Sequence, residues 1–192
     1  KASLVRAAEI EFGYDVVAVD PDDLRRFHPQ VKRFQEQSPY DWSQKTNSDA
    51  GQWARELRDV AIEGRKNVIV DTTLGNAKPA LQTIREFQSA GYDVEIRAVA
   101  THRLESELGV DQRFSEKLEA EGYGRHVPEA VRNAIYNGLP TSLDTIHSQT
   151  GIPIRIFSRE GTELYDSRTD ARPPGQALEE AREARVKDPN IT

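Results

Sequence analysis

Three acids flank a proline in Asp20-Pro21-Asp22-Asp23, directly behind the apolar run Val16-Val17-Ala18-Val19. Four small or β-branched apolar residues in a row predict a strand buried on both faces, and Pro21 stops it because a central strand needs the N–H that proline lacks. The acids are thereby expected at the strand's C-terminal end, the edge where open α/β sheets bind ligands. A carboxylate there can take a proton from a bound hydroxyl or hold a metal, and Asp22 is the first candidate. The competing reading is that these acids only cap the turn Asp23-Leu24-Arg25-Arg26-Phe27. A second run, Asn67-Val68-Ile69-Val70, ends alike in Asp71-Thr72-Thr73, so two strands are expected to deliver acids and hydroxyls to one sheet edge.

Two arginines and a lysine suggest what those acids act on. Arg113 falls in a predicted long helix marked by Leu104, Leu108, Phe114 and Leu118, and Arg125 follows the break Gly122-Tyr123-Gly124. Most arginines are surface charges. A guanidinium brought over a transferring phosphoryl group, however, contributes about 10³ to 10⁵ in rate. Lys1-Ala2-Ser3-Leu4, at the head of a helix, is what remains when a phosphate-binding loop is cut just before its lysine; the glycines that wrap the phosphates are not in the sequence, and a terminal lysine alone reads as a solvated end. His28, His102, His126 and His147 lie far apart with no i, i+4 pair, which argues against zinc. No Gly-x-Ser-x-Gly elbow supports a hydrolase.

Positioning these groups requires a layered frame, and the hydropathy pattern supplies one. Leu4, Ala7, Ala8 and Phe12 share a helical face before the strand Tyr14 to Val19, and Leu24 to Phe27 form a short turn stopped by Pro29. The stretch Gln30 to Lys45 is polar with scattered aromatics Phe34, Tyr40 and Trp42, and its period is undecided between covering the core and covering a ligand. Trp53, Leu57, Val60 and Ala61 mark a helix face that Gly64 ends. Pro79 to Gln88 is helical through Leu81, Ile84 and Phe87, and Val94 to Ala100 is a strand. Val131, Ala134 and Ile135 give one helix, and Leu139-Pro140-Thr141 begins another through Ile146. Ile152 to Phe157 and Thr162 to Tyr165 form a hairpin around Ser158-Arg159-Glu160-Gly161. The alternation predicts an α/β fold, a mostly parallel sheet with helices on both faces plus a C-terminal hairpin. From Asp170 the composition turns to Arg, Pro and Gly, then to a charged helix from Ala177 to Lys187. With little apolar surface, that tail is expected to be loosely attached.

The 192 residues, 36% hydrophobic and 30% charged, suit one domain with a sizeable core and a polar tail. A formal charge of -6 argues against nucleic-acid binding and leaves a small-molecule or protein partner, with a local basic site for a phosphorylated ligand. The absence of cysteine excludes disulfides and thiolate chemistry. No run reaches membrane length and no signal-peptide pattern appears, so no membrane association and a cytoplasmic location are expected. The sequence has no methionine, and residues upstream of Lys1 are expected in the natural protein.

Several of these motifs, in this order, resemble the zeta toxin family, P-loop kinases of bacterial toxin–antitoxin systems that phosphorylate UDP-N-acetylglucosamine on its sugar hydroxyl. The resemblance runs from Lys1 to about Arg168. It rests on Asp20-Pro21-Asp22 with His28-Pro29, Asn67 to Thr73, Leu108-Gly109 leading to Arg113-Phe114, Gly124-Arg125, Leu139-Pro140-Thr141-Ser142-Leu143-Asp144-Thr145, and Ser158 to Gly161 before Leu164-Tyr165. It implies a P-loop kinase-like domain over residues 1–169, lacking its first strand and glycine loop in this sequence, and a charged C-terminal tail over 170–192. It also implies Asp22 as the base for the sugar hydroxyl, with Arg113 and Arg125 catalytic through the transferring phosphoryl group. Lys1, Ser3, Arg113 and Arg125 would bind ATP, Asp71 and Thr73 would bind the sugar nucleotide, magnesium (Mg2+) would accompany ATP, and an antitoxin would be the protein partner. Such chemistry needs mostly alignment and charge stabilisation.

Three residues depart from the family pattern. Ala2 stands where a P-loop has Ser or Thr, which leaves the metal ligand open among Ser3, water and an acid. Asp71 stands for the usual Glu, and Thr72 for a glycine. The alternatives are a related P-loop kinase with another small-molecule acceptor, or a degenerate domain that binds a nucleotide without catalysis.

Overall fold

Both apolar runs that end in acids form strands, and they pair with each other. The computed structural model describes residues 2–186. In chain order the first elements are α1 (Ala2–Glu11), β1 (Val16–Val19), α2 (Pro21–Leu24), a 3-10 turn (Arg25–Phe27), α3 (Val31–Gln37), α4 (Trp42–Lys45), α5 (Asn47–Glu63) and β2 (Asn67–Val70). There follow α6 (Ala77–Ser89), β3 (Ile96–Val99), α7 (Arg103–Glu121), α8 (Glu129–Thr150), β4 (Ile154–Phe157), β5 (Glu163–Asp166) and α9 (Pro174–Val186). The described residues fold as two compact units: one holds Val5–Thr72 and Glu107–Pro128, the other residues 2–4, Thr73–Ser106 and residues 129–186.

In the first unit β1 and β2 are parallel, with Val16 opposite Asn67 and Val19 opposite Val70. Parallel strands need a long crossover, and the stretch from α2 to α5 provides it. The expectation that β1 is buried on both faces is corrected: Val19 is buried, but Val16 and Val17 are only half-buried and Ala18 is exposed, and β2 is likewise only half-buried from Val68 to Val70. An unbroken apolar run reports that a strand is hydrophobic, not how many layers cover it. The face of α5 is also displaced from the expected one. Ala50, Ala54 and Ala61 are buried with Leu57 half-buried between them, while Val60 is 65% exposed. Alanines let the helix approach the strands closely, an advantage that a count of large apolar residues misses.

The second unit has the expected apolar core. β3 and β4 are parallel, β4 and β5 antiparallel, and the register shifts between Ile156 and Phe157. Leu81 and Ile84 from α6, Ile96 and Ala98 from β3, Leu143 and Ile146 from α8, and Ile154 and Ile156 from β4 make one buried cluster. The two helices expected on either side of Leu139 are one, because α8 runs unbroken through Pro140. A proline inside a helix lacks the N–H that would bond the carbonyl four residues back. That carbonyl belongs to Tyr136, and Arg182 Nη1 donates to it at 3.1 Å instead.

This bond also corrects the loosely attached tail. Arg182, on α9, is only 7% exposed, and its guanidinium lies 3.7 Å from the Tyr136 ring centroid. Ala177 and Leu178 are buried with it. At the start of α9, Gly175 N donates to Asp144 Oδ1 at 2.7 Å, and a Cβ on Gly175 would lie 2.6 Å from the Pro140 carbonyl. The helix is charged as expected, yet it docks through Ala177, Leu178 and one buried arginine, which overall composition does not weigh. Its predicted extension through Lys187 passes beyond the described residues.

Candidate active site

The acids after β1 divide into a cap, Asp20, and a carboxylate held by arginines, Asp22. Asp20 has extended backbone and its side chain accepts from Asp22 N at 2.8 Å, with Pro21 in the first helical turn. The capping reading therefore applies to Asp20. Asp22 is the second residue of α2, and its carboxylate is not part of the cap. Its Oδ1 accepts from Arg25 Nε at 3.0 Å, and its Oδ2 accepts a short bond from Arg125 Nη1.

The pairing of β1 with β2 brings the second acid to the same edge, as expected. Asp71 N donates to Val19 O at 3.0 Å, continuing the ladder past Val70. The clustering has an electrostatic cost. Burial, and then the charges of Asp22, Asp71 and Asp23, push the Asp20 carboxyl above its usual range, against the opposing bond from Asp22 N.

Arg125 is held by aromatic packing within its unit. Trp42 Nε1 donates to the Gly124 carbonyl at 2.8 Å, and Trp42 meets Tyr123 edge-on with centroids 5.8 Å apart. Gly124 has no room for a side chain, since a Cβ there would lie 2.7 Å from Phe114 O. The segment left undecided from sequence, Gln30 to Lys45, thus supplies α3 and α4, and its Trp42 secures the loop that carries Arg125. His28, part of the Asp20 to Pro29 motif, is a packing residue: its Nδ1 accepts from Gln30 N at 3.1 Å, so Nε2 donates to Asp49 at 2.9 Å, and its ring meets Phe34 and Trp53.

Not every anticipated residue joins this constellation. Arg113 is exposed and its Nε donates to Gly109 O at 2.8 Å, along its own helix. Ser3, in the first turn of α1, and Thr73, after β2, are exposed and belong to the other unit. Lys1 lies outside the described residues. One residue was missed: Arg25, 4% exposed, which reaches from Asp22 to Ser43 O, to Thr46 Oγ1 at 3.0 Å and to Asn47 Oδ1 at 2.8 Å. Its i, i+3 spacing from Asp22 was the available signal.

A carboxylate with a guanidinium on each oxygen can accept a proton and sits beside a cation suited to phosphate. The exposed Arg113 and Arg125 can engage an anionic ligand, and the crowded acids suit a hard cation. Magnesium takes one or two carboxylates with water and phosphate rather than an all-protein cage. Among the described residues no group of three or more potential ligands forms such a cage, and no helix is long and apolar enough to cross a membrane.

Comparison with known proteins bears on the family and the fold. Toxin zeta of Streptococcus pyogenes is 25% identical over 196 residues, covering 100% of this chain and 68% of that protein. Toxin PezT of Streptococcus pneumoniae serotype 4 is 24% identical, covering 94% of this chain and 72% of that protein. A solved structure from the PezAT chromosomal toxin–antitoxin system of Streptococcus pneumoniae superposes with a TM-score of 0.81 at 21% identity, over 94% of this chain and 72% of that one. The fold is accordingly α/β and P-loop kinase-like, with parallel strand pairing, a C-terminal hairpin and a charged final helix. The zeta toxin family model matches residues 1–170, more than half the sequence, and the chain belongs to the zeta toxin family.

Proposed function

We propose that the protein transfers the γ-phosphoryl group of ATP to the sugar hydroxyl of UDP-N-acetylglucosamine, as a toxin that disturbs cell-wall precursor supply. Family membership supports a kinase-type toxin of a toxin–antitoxin system, with ATP as phosphoryl donor. The sugar nucleotide, magnesium, an antitoxin partner and a cytoplasmic location are the finer parts of the reading. The observation that carries it is the Asp22 carboxylate at the end of β1, with the Arg125 guanidinium on its Oδ2.

In the reaction Asp22 takes the proton of the acceptor hydroxyl as its oxygen bonds to phosphorus and ADP leaves. Arg125, and Arg113 after turning from Gly109, balance the charge spread over the phosphoryl oxygens. Lys1 and Ser3 serve the ATP phosphates, and Asp71 and Thr73 the sugar nucleotide. Magnesium would supply further charge neutralisation beside these crowded acids, among which the Asp20 carboxyl is held above its usual range by burial and its acidic neighbours. We assign residues 1–169 to the kinase domain and 170–192 to its C-terminal segment.

The test incubates this chain, and a form extended upstream of Lys1, with magnesium-ATP and UDP-N-acetylglucosamine, and reads products by mass spectrometry. Phosphorylated sugar nucleotide is the expected product; its absence from both folded forms removes the reading. Asp71 in place of the family's Glu favours testing a second acceptor class, and a nucleotide-sugar panel in the same assay separates the two.

A further inference from the structure

Arg25 is a buried charged side chain whose bonds end on the candidate base. Of its four acceptors, Ser43 O, Thr46 Oγ1 and Asn47 Oδ1 are neutral, and Asp22 carries the charge. Those neutral partners lie in α4 and at the start of α5, whereas Asp22 rides on a helix of only four residues. A helix that short has no rigidity of its own. The guanidinium therefore ties the Asp22 carboxylate to a 17-residue helix.

The two arginines on Asp22 differ in burial. Side-chain exposure is 5% for Arg25 and 46% for Arg125, so one contact is built into the packing and the other is open to exchange for a ligand. We propose that Arg25 is a positioning residue for phosphoryl transfer: it holds Asp22 Oδ1 permanently and so presents Oδ2, the oxygen Arg125 now covers, to the acceptor hydroxyl. This rests on the functional reading above for its kinetic consequence but not for its geometry. Lysine could keep a charge near Asp22 but not the fork that reaches α4 and α5.

The test compares the full chain, in its upstream-extended form, with Arg25→Lys, Arg25→Gln, Asn47→Ala and the double variant Arg25→Gln/Asp22→Asn. A displaced base is expected to cost about 10²-fold in kcat for Arg25→Gln, with Arg25→Lys intermediate and KM for ATP unchanged. Because the effect runs through Asp22, Arg25→Gln is expected to cause no further loss on the Asp22→Asn background. A wild-type kcat in Arg25→Gln, or an equal loss on both backgrounds, overturns the proposal. If Arg25→Gln does not fold, Asn47→Ala decides: a few-fold fall in kcat with an intact thermal transition supports the clamp, and an unchanged kcat overturns it. If the wild type transfers nothing, the functional reading fails by itself. The clamp is then read from the carbon-13 resonance of the Asp22 carboxyl, which is expected to move in Arg25→Gln and Asn47→Ala; an unmoved resonance overturns it.

Discussion

The two units are held together by different physics. The unit with β3, β4 and β5 buries Leu143, Ile146, Ile154, Ile156 and Leu178 to 0% exposure. In the unit with β1 and β2 the buried residues are mostly alanines with Val19 and Trp42, accompanied by Arg25, Ser43 and Thr46. The unit with β3, β4 and β5 relies on non-directional apolar burial, the unit with β1 and β2 on hydrogen bonds that fix direction. Placing the candidate base in the polar unit has a physical rationale, because a carboxylate must be aimed, and an apolar contact cannot aim it. That unit also carries an electrostatic cost, since an acid raised above its usual range opposes folding wherever it is ionised.

Substitutions can break this contrast. The largest effect is expected from Asp22→Asn, which should lower kcat by about 10² to 10⁴-fold while leaving the thermal transition nearly in place. A transfer rate equal to wild type would sink the assignment of Asp22. Leu143→Ala should do the reverse, destabilising the chain by about 2 to 5 kcal/mol in denaturant titrations with little change in kcat for the fraction that stays folded. Arg182→Met tests a place where the apolar unit depends on a buried charge. It keeps most of the volume but strands the Tyr136 carbonyl, and a loss of about 1 to 3 kcal/mol is expected by calorimetry.

Smaller effects sharpen the comparison. Asp20→Asn preserves a capping side chain and removes one crowded charge, so a gain of about 0.5 to 2 kcal/mol in stability is expected. A loss instead would show that Asp20 matters more as an anion than as a cap. In the other unit, Arg185 holds Glu160 through two bonds of 2.7 and 2.8 Å and also bonds Glu105. Arg185 keeps the Glu160 carboxyl at about 2 and Glu105 below its usual range. Both acids are lowered on folding, so their contribution is present above the ordinary glutamate value of 4.5 and is lost as pH falls towards about 2. Glu160 itself is largely exposed, which limits the effect to about 1 kcal/mol or less. Melting curves of wild type and Arg185→Gln should therefore converge over that window, and a constant gap would refute the pairing.

Much of the fold was legible in local pattern. Each strand and the helix with Leu81, Ile84 and Phe87 appear within a few residues of expectation, because apolar periodicity and Gly or Pro punctuation act locally. The misreadings share a cause. Val60 lies on the apolar side of the helical pattern yet is exposed, and the final helix is charged yet docked, because which face is covered depends on segments distant in sequence. Pro140 predicts a break that the helix does not have, since the donor that replaces its missing N–H comes from Arg182, 46 positions from Tyr136.

The candidate site divides along the same line. By itself the sequence determined the residue types at the strand ends, the acids, the arginines and the family motifs, since these follow from chemistry and order along the chain. Only the tertiary structure decided that Arg125 meets Asp22 across 103 positions, that Arg113 lies along its own helix, and that Arg25 is buried beneath the base. An arginine's spacing reveals its neighbours on one helix turn. Its burial and its distant acceptors are set by the packing of α2 against α5, which no local pattern encodes.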